Sequence, residues 1–327
     1  MKNEPKRHVV STIVVIIAAV AAVVVLFVLH YRQQQQLVRE PEESVSQAES
    51  NTIEWKGKKY TYNNNLINIL FLGIDKDLDL DTSYMPSDAG QADCIMLLSL
   101  DKETKEGRIL QINRNTMTQI DTYDSNGSVF GTVNAQLATQ YAYCIGGSRS
   151  CWATEKTVRE LLYNLPINGY FSLSVDGIAQ INDALGGVTV EMTEDDTEIN
   201  LEFQAGQEIC LKGEDAEKYV RYRDTSVFNS NEKRMQRQVK YVTALIKNAR
   251  SHGGSALYNI ISPFLDKYIV TDLDGKQIDA LSSYTYLTDE IQYLPGETVM
   301  GDKYEEFHVD EEKLQEEIIQ TYYKEKQ

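Results

Sequence analysis

The longest run of apolar residues lies near the start of the chain. Residues 9–29 (VVSTIVVIIAAVAAVVVLFVL) carry no charge, and Ser11 and Thr12 are their only polar side chains. A helix of this length spans roughly 30 Å, the thickness of a bilayer hydrocarbon core. No small-residue cleavage site follows the run, and basic residues precede it while acidic residues dilute those after it. We therefore predict a single-pass cell-membrane protein with a cytoplasmic tail at 1–8, a transmembrane helix at 9–29 and an extracellular remainder.

A globular domain is predicted beyond this segment, and its first elements follow from apolar runs. Residues 30–64 hold a glutamine run, an acidic patch and EWKGKKYTYNNN, which predict an extracellular stalk with a hairpin near Trp55–Tyr62. The continuous run LINILFLGI at 66–74 is typical of a strand covered on both faces. Two more strands are predicted at 93–101 and 108–114, joined by the turn-like KETKEG.

Helical periodicity alternates with short strands over the remainder of the chain. The predicted helices lie at 134–143, 153–165, 175–185, 212–220 and 230–251, and the predicted strands at 170–175 and 188–192. Strands that alternate with helices are typical of a layered α/β domain, which we place over residues 65–327.

The composition argues against several classes of function. A net charge of −17 and a pI near 4.7 leave no broad basic face for nucleic acid. Of the four histidines, only His252 and His308 fall in the domain, and neither belongs to a motif. A Ser-His-Asp hydrolase and a His-ligated zinc enzyme are therefore poorly supported, and neither glycine-rich phosphate-binding motif is present. Aspartate, arginine and tyrosine must carry any reaction.

Four cysteines leave the question of disulfides open in a chain predicted to be exported. Cys144 and Cys151 flank IGGSRS, a short polar loop that a bridge could close. Cys94 lies inside an apolar run and is more typical of a small buried side chain. The sequence does not determine the pairing of these residues or of Cys210.

Two aspartates and an arginine lie at the ends of the predicted strands. Asp75 directly follows the first strand, Asp93 opens the second and Arg114 ends the third. Carboxylates at strand ends of an α/β sheet are well placed for ligands, and Mg²⁺ prefers hard oxygen donors from one or two carboxylates together with phosphate. Local turn hydrogen bonds explain the two aspartates equally well, and a solvated strand end explains Arg114.

Arginine is concentrated in the stretch KYVRYRDTSVFNSNEKRMQRQVKY. Arg221 and Arg223 are two residues apart, so they share a face in an extended chain. Arg234, Arg237 and Gln238 recur at the spacing of one helix face. Guanidinium groups bind phosphate as planar forks, so a converging set favours a pyrophosphate site. A solvated basic helix face is the alternative.

At these residues the chain resembles the LytR–CpsA–Psr family of bacterial cell-envelope proteins. The resemblance covers residues 65–320, and a membrane anchor followed by a stalk is the family's usual layout. Its motifs, in order, are NILFLGID (68–75), ADCIMLLSLD (92–101), INRNT (112–116), NAQLATQYAYCIGG (134–147), the block at 169–192, LKGEDAEKYVRYRD (211–224), RMQRQ (234–238) and LPGE…FHVDEEKLQE (294–316).

The resemblance implies a fold and a reaction. The fold is a three-layer α-β-α catalytic domain with a mixed central sheet. The reaction moves an anionic glycopolymer, of teichoic acid or capsular type, from a polyisoprenyl-pyrophosphate carrier to peptidoglycan, forms a phosphodiester and uses Mg²⁺, with Mn²⁺ as an alternative ion. Phosphoryl transfer depends mainly on positioning and charge neutralisation, so a lack of histidine is no obstacle.

The resemblance also implies roles for the residues named above. Asp75 and Asp93 are the metal-associated carboxylates and, with Arg114, the catalytic residues. The apolar faces of the helices at 154–165, 175–185 and 231–249 line a channel for the lipid. The residues implied to bind the pyrophosphate are Arg114, Arg221, Arg223, Arg234, Arg237 and Gln238.

Three departures from the family pattern keep alternatives open. Gln91-Ala92 stands where the family usually has Arg-Ser, Asn115 stands where it has an aspartate, and Lys76-Asp77 replaces Ser-Arg. A non-catalytic polyprenyl-pyrophosphate binding protein is the first alternative, and a pyrophosphatase that uses the same site with water is the second. The sequence leaves open the polymer, the acceptor hydroxyl and the oligomeric state.

Overall fold

The computed structural model describes residues 52–76, 85–252, 254–281, 283–287 and 291–326. The predicted tail, the transmembrane helix at 9–29 and the first part of the stalk lie outside these residues. Among the residues that are described, no helix is both long and apolar enough to cross a membrane.

Seven strands precede the first described helix, and groups of helices and strands alternate after it. The strands are β1 (Thr52–Trp55), β2 (Lys58–Tyr62), β3 (Leu66–Ile74), β4 (Ala92–Asp101), β5 (Glu106–Ile112), β6 (Met117–Tyr123), β7 (Val129–Gln136), β8 (Gly169–Ser174), β9 (Val188–Glu191), β10 (Glu208–Leu211), β11 (Ile269–Thr271), β12 (Thr285–Tyr286), β13 (Gln292–Tyr293), β14 (Gly296–Met300), β15 (Glu305–Val309) and β16 (Tyr323–Glu325). The helices are α1 (Thr139–Ala142), α2 (Gly147–Leu161), α3 (Gly177–Ala184), α4 (Glu214–Arg221), α5 (Ser230–His252), α6 (Gly254–Ile261), α7 (Gly275–Leu281) and α8 (Glu311–Tyr322).

The central sheet is mixed, which confirms the predicted α/β class. Its strand order is β11-β8-β3-β4-β5-β12, and β13 also pairs with β5. Strand β3 runs antiparallel to β4 and parallel to β8, while β4 and β5 are antiparallel. The end of β3, the start of β4 and the end of β5 therefore meet at one edge of the sheet.

Both faces of this sheet are buried, because successive side chains of a strand point to opposite sides. Ile69 and Phe71 join one hydrophobic core with residues of α3, α4 and α5. Leu70 and Leu72 join a second core with residues of α2 and α8. Each such side chain stabilises the fold by about 1.5–3 kcal/mol on full burial. Because both faces of β3 are buried, its sequence does not alternate between apolar and polar residues.

The hairpin of β1 and β2 is confirmed, and it packs with the C-terminal end of the domain. Strand β16 pairs with β2, so Tyr323 lies opposite Tyr62 and the two rings meet edge to face. The part of the predicted stalk from Thr52 onwards therefore belongs to the same compact unit as the domain.

One local prediction was wrong, and the open question of disulfide pairing has an answer. The helix predicted at 134–143 is the end of β7 followed by only the short α1, because residues 129–136 pair with β6 in a hairpin that the sequence analysis missed. The suggested bridge between Cys144 and Cys151 is absent, since all four cysteines are free. Cys144 and Cys151 are buried as apolar side chains, and burial raises the pKa of both thiols.

Candidate functional site

Asp93 is the centre of a charged cluster at the edge where β3, β4 and β5 meet. Its Oδ1 lies 2.8 Å from Nε of Arg114, and its Oδ2 accepts a hydrogen bond of 2.8 Å from Nη1 of Arg234. The antiparallel pairing of β4 with β5 brings Asp93 and Arg114 together, and Arg234 reaches the same carboxylate from α5. One carboxylate thus orients two guanidinium groups.

Arg114 is held by two of the residues that depart from the family pattern. Its Nη2 donates to the side-chain oxygen of Gln91, and its Nη1 donates to Oδ1 of Asn115 at 3.4 Å. Gln136 also donates to Oδ1 of Asn115, at 3.2 Å. Neutral amides therefore replace the expected charged side chains and still fix the guanidinium by accepting its hydrogen bonds.

Asp75 leaves the end of β3 and is held by the backbone of Gln91. The amide N–H of Gln91 donates to Oδ1 of Asp75 at 2.6 Å, and the amide N–H of Asp75 donates to the Gln91 carbonyl at 3.0 Å. Gly90 permits this approach with φ of +87°, since a Cβ there would lie 3.2 Å from Oδ1 of Asp75. Burial and the charge of Asp93 raise the pKa of Asp75, against the lowering effect of the Gln91 N–H and of nearby arginines.

Arg234 is almost fully buried beneath the cleft. Its Nη2 donates to Oδ1 of Asn231 at 2.7 Å, and Asn231 donates in turn to Oδ1 of Asn113 at 3.1 Å. Burial lowers the pKa of Arg234, and the charges of Arg114 and Arg223 lower it further, while Asp93 raises it. The three guanidinium groups are therefore close enough to repel one another, which is the condition for a strong anion site.

Arg221 and Arg223 lie at the end of α4 and face different surroundings. Arg221 is exposed, lines the cleft and pairs with Glu217 at 3.1 Å within its own helix. Arg223 is largely buried, and it donates to Oγ of Ser230 at 3.0 Å and to Oε2 of Glu305 at 2.6 Å. Tyr222 between them is extended, with ψ of 134°, but Arg221 is still the last residue of α4, so the two arginines do not share an extended segment as the sequence spacing suggested.

Arg237 does not join this cluster. It is 2% exposed, and its guanidinium donates to Oδ1 of Asp196 at 3.0 Å and to the carbonyl oxygens of Tyr219 and Tyr222. The geometry therefore does not favour the predicted role in pyrophosphate binding, since its described donors are turned to the protein interior. Gln238 does line the cleft and donates to the carbonyl of Val220 at 3.3 Å.

A cleft of about 590 Å³ opens beside the charged cluster. Asp75, Asp93 and Arg234 line its polar end, and the apolar side chains of β3, β8, α3 and α5 line the rest. A second, almost wholly apolar cavity of about 790 Å³ shares four of these lining residues, which are Phe71, Leu173, Val242 and Leu245. The charged cluster thus lies beside two neighbouring cavities with mainly apolar walls.

Two of the three helices implied to line a lipid channel line the two cavities. Ile178 and Ile181 of α3 and Val242 and Leu245 of α5 contribute to the walls. Helix α2, which overlaps the predicted 154–165, does not, because its Val158 packs in the core on the opposite face of the sheet. The sequence showed that α2 was amphipathic but not which face of the sheet it would cover.

Two acidic residues of this region were missed by sequence reasoning. Glu305 pairs with Arg223, and Asp196 pairs with Arg237. Neither lies in a motif or at a recognisable spacing from the arginines, and both are separated from them by tens of residues. No signal in a single sequence could have found them.

The family model described as the LytR_cpsA_psr family matches residues 27–322. One curated relative is the polyisoprenyl-teichoic acid–peptidoglycan teichoic acid transferase TagU of Halalkalibacterium halodurans, 28% identical over 216 residues. That alignment covers 65% of this chain and 62% of the relative, so the match spans less than two thirds of the relative's length.

Solved structures show the same fold. The crystal structure of Bacillus subtilis TagV superposes with a TM-score of 0.59 at 23% identity, and the match covers 79% of this chain and 97% of TagV. A structure described as TagT bound to LIIa-WTA gives a TM-score of 0.57 at 22% identity, covering 79% of this chain and 89% of TagT.

Proposed function

Since the chain belongs to the LytR_cpsA_psr family, we propose that it transfers an anionic glycopolymer from a polyisoprenyl-pyrophosphate carrier to peptidoglycan. The polymer is of the teichoic acid or capsular polysaccharide type. The observation that carries the proposal is the cluster of Asp93, Arg114 and Arg234 at the mouth of an apolar cleft. The name of the Halalkalibacterium relative and the ligand of the TagT structure agree with this substrate class.

The shape of the site supports a lipid-linked pyrophosphate as the donor. A prenyl chain is apolar and long, and the two neighbouring cavities are lined by aliphatic and aromatic side chains of α3, α5 and the sheet. A pyrophosphate is anionic, and the arginines stand only at one end. Few other ligands combine both requirements.

In the proposed reaction, a hydroxyl oxygen of peptidoglycan forms a new bond to the phosphorus next to the glycan. The P–O bond to the lipid phosphate breaks, and the lipid phosphate leaves with the electron pair. Arg114, Arg221, Arg223 and Arg234 offset the charge of the phosphate oxygens. Asp75 is the carboxylate in the cleft whose pKa is raised, which suits it to accept the hydroxyl proton.

The cleft also suits a divalent cation, and we propose Mg²⁺, with Mn²⁺ as an alternative. Asp75 and Asp93 line the same cleft, and burial together with the charge of Asp93 raises the pKa of Asp75, so a cation would relieve the repulsion between the two carboxylates. These two carboxylates would hold the ion together with phosphate oxygens, the donor set that Mg²⁺ prefers. When bound, it would supply further neutralisation of the phosphate charge.

One observation favours a non-catalytic lipid-pyrophosphate binding protein as the second candidate. Both oxygens of Asp93 are engaged by arginines, and within the described ranges no three Asp, Glu, His or Cys side chains cluster so as to hold a metal ion. Such a protein would keep the arginine cluster and lack turnover.

We also propose that residues 9–29 anchor the domain to the outer face of the cell membrane, with the N-terminus in the cytoplasm. The support is the apolar length of the segment and the distribution of basic residues around it. An anchored domain would meet both a lipid-linked donor and the cell wall. Protease accessibility of residues 52–327 in intact cells and inverted vesicles tests this topology.

One assay separates the candidates. The full-length chain is incubated with a polyprenyl-pyrophosphate-linked saccharide, Mg²⁺ and peptidoglycan, and glycan transfer is measured. We expect transfer by the wild type and its loss in Asp93→Asn, while Asp101→Asn, at the other end of β4, retains it. Phosphate release without transfer would favour the hydrolase. Tight lipid binding without turnover would contradict both enzymatic functions.

A further inference from the structure

Glu305 lies on β15, distant in sequence from every arginine of the cleft, and is 8% exposed. Its Oε2 accepts a hydrogen bond from Nη2 of Arg223 at 2.6 Å, and its Oε1 accepts one from the backbone N–H of Asn229 at 2.7 Å. One buried carboxylate thus contacts the start and the end of the 223–229 segment between α4 and α5. Charge-assisted bonds of this length are among the stronger ones in proteins.

Glu305 is also linked to Arg114 through two side chains, those of Gln136 and Asn115. The amide nitrogen of Gln136 donates to the backbone carbonyl of Glu305 at 2.8 Å and to Oδ1 of Asn115 at 3.2 Å. Asn115 in turn accepts from Nη1 of Arg114. The backbone of β15 therefore fixes the positions of Arg223 and Arg114 relative to each other.

The charges of the cluster require such a residue. Arg114 and Arg234 share the carboxylate of Asp93, and Arg223 contacts Ser230, which lies about one turn before Arg234 on α5. Asp93 neutralises Arg114 and Arg234, whereas the ion pair of Arg223 is with Glu305. Without Glu305, Arg223 would be repelled by the other two guanidinium groups and would turn toward solvent.

We propose that Glu305 is a positioning residue of the anion site: it holds Arg223 beside Arg114 and Arg234 so that the three guanidinium groups bind one pyrophosphate. The inference rests on the proposed function and deepens it. Glu305 acts through Arg223 and is not itself in contact with the substrate.

The test measures binding of farnesyl pyrophosphate, a soluble prenyl pyrophosphate, to the full-length chain. Glu305→Gln keeps the size of the side chain and removes its charge, and we expect the Kd to rise about tenfold, since a bond between charged groups is lost. Arg223→Ala should give a similar rise. The double variant should bind within about twofold of Arg223→Ala alone, because Glu305 acts only through Arg223.

The matched control is Glu306→Gln on the next residue of β15. Glu306 contacts His308 at 3.1 Å and, in the described part of the chain, none of the cleft arginines. The Kd of Glu306→Gln for farnesyl pyrophosphate should therefore equal that of the wild type. If Glu305→Gln does not fold, Glu305→Asp decides, because it keeps the charge and withdraws it from Arg223. A raised Kd in this variant supports the proposal, and an unchanged Kd overturns it.

The outcomes distinguish this inference from the function on which it rests. If the folded wild type and Glu306→Gln both fail to bind the probe, the proposed function fails and the role of Glu305 with it. If the wild type binds and Glu305→Gln binds equally well, only the role of Glu305 is overturned. A Kd effect in Glu305→Gln that adds fully to that of Arg223→Ala also overturns it, because Glu305 would then act independently of Arg223.

Discussion

Arg234 and Arg237 lie one turn apart on α5 and have opposite surroundings. Arg234 reaches the cleft, where it shares Asp93 with Arg114. Arg237 is enclosed by Asp196 and the carbonyls of Tyr219 and Tyr222, which fasten α5 to α4 and to the loop after β9. Identical side chains at helical spacing therefore serve two purposes, because the partner on the facing element determines whether a guanidinium is open to a ligand.

The largest effect on stability is expected from Arg237→Ala. The substitution leaves Asp196 buried without a counter-charge and two carbonyl oxygens without a donor, so the free energy of unfolding should fall by about 3–5 kcal/mol. Urea denaturation followed by circular dichroism measures the change. Lys233→Ala is the matched control on the same helix, since its 3.7 Å pair with Glu194 is exposed and should contribute less than about 1 kcal/mol. If Arg237→Ala kept its stability and lost ligand binding, Arg237 would contact the ligand rather than support the fold.

Arg234→Ala should produce the opposite pattern. Asp93 keeps its pair with Arg114, so the loss of stability should be smaller than for Arg237→Ala. The kcat/KM of glycan transfer should fall by about 10²–10³, the usual cost of removing one preorganised donor to a developing charge. Transfer kinetics of this variant, Arg237→Ala and Lys233→Ala at equal folded concentration test the contrast. Equal losses of kcat/KM in Arg234→Ala and Arg237→Ala would contradict the different roles of the two arginines.

The smallest expected effect concerns pH and Asp75. Its folded pKa is raised above the ordinary 3.8, mainly by burial, so the folded state binds more protons than the unfolded state as pH rises from that value. Stability therefore falls as pH rises through the folded pKa, and the ionised carboxylate destabilises the fold at neutral pH. Asp75→Asn should melt at a higher temperature than the wild type at pH 7, and the difference should vanish near pH 3.

Thermal melts of both proteins from pH 3 to pH 7 measure this difference. Asp88→Asn is a suitable control, because it changes one nearby acidic residue outside the lining of the cleft. An Asp75→Asn variant that is less stable than the wild type at pH 7 would mean that the carboxylate supports the fold rather than a ligand.

Local physics explains how much of the fold and site could be predicted. The apolar run of β3 and the amphipathic pattern of α5 follow from the periods of strand and helix, and both elements lie where they were predicted. Asp75, Asp93 and Arg114 lie at the ends of neighbouring antiparallel strands, so their meeting at one edge follows from the order of the elements. The helix predicted at 134–143 failed because pairing with β6 overrode a local preference for helix.

The sequence by itself determined the central strands, the long helix α5 and the edge of the sheet at which charged residues gather. Only the tertiary structure decided that Arg237 is enclosed while Arg234, also buried, lines the cleft, that Gln91 and Asn115 hold Arg114, and that Glu305 holds Arg223. The physical reason is distance along the chain. Hydrophobic period acts over a few residues, whereas the partner of a buried charge comes from whichever element the fold brings opposite it.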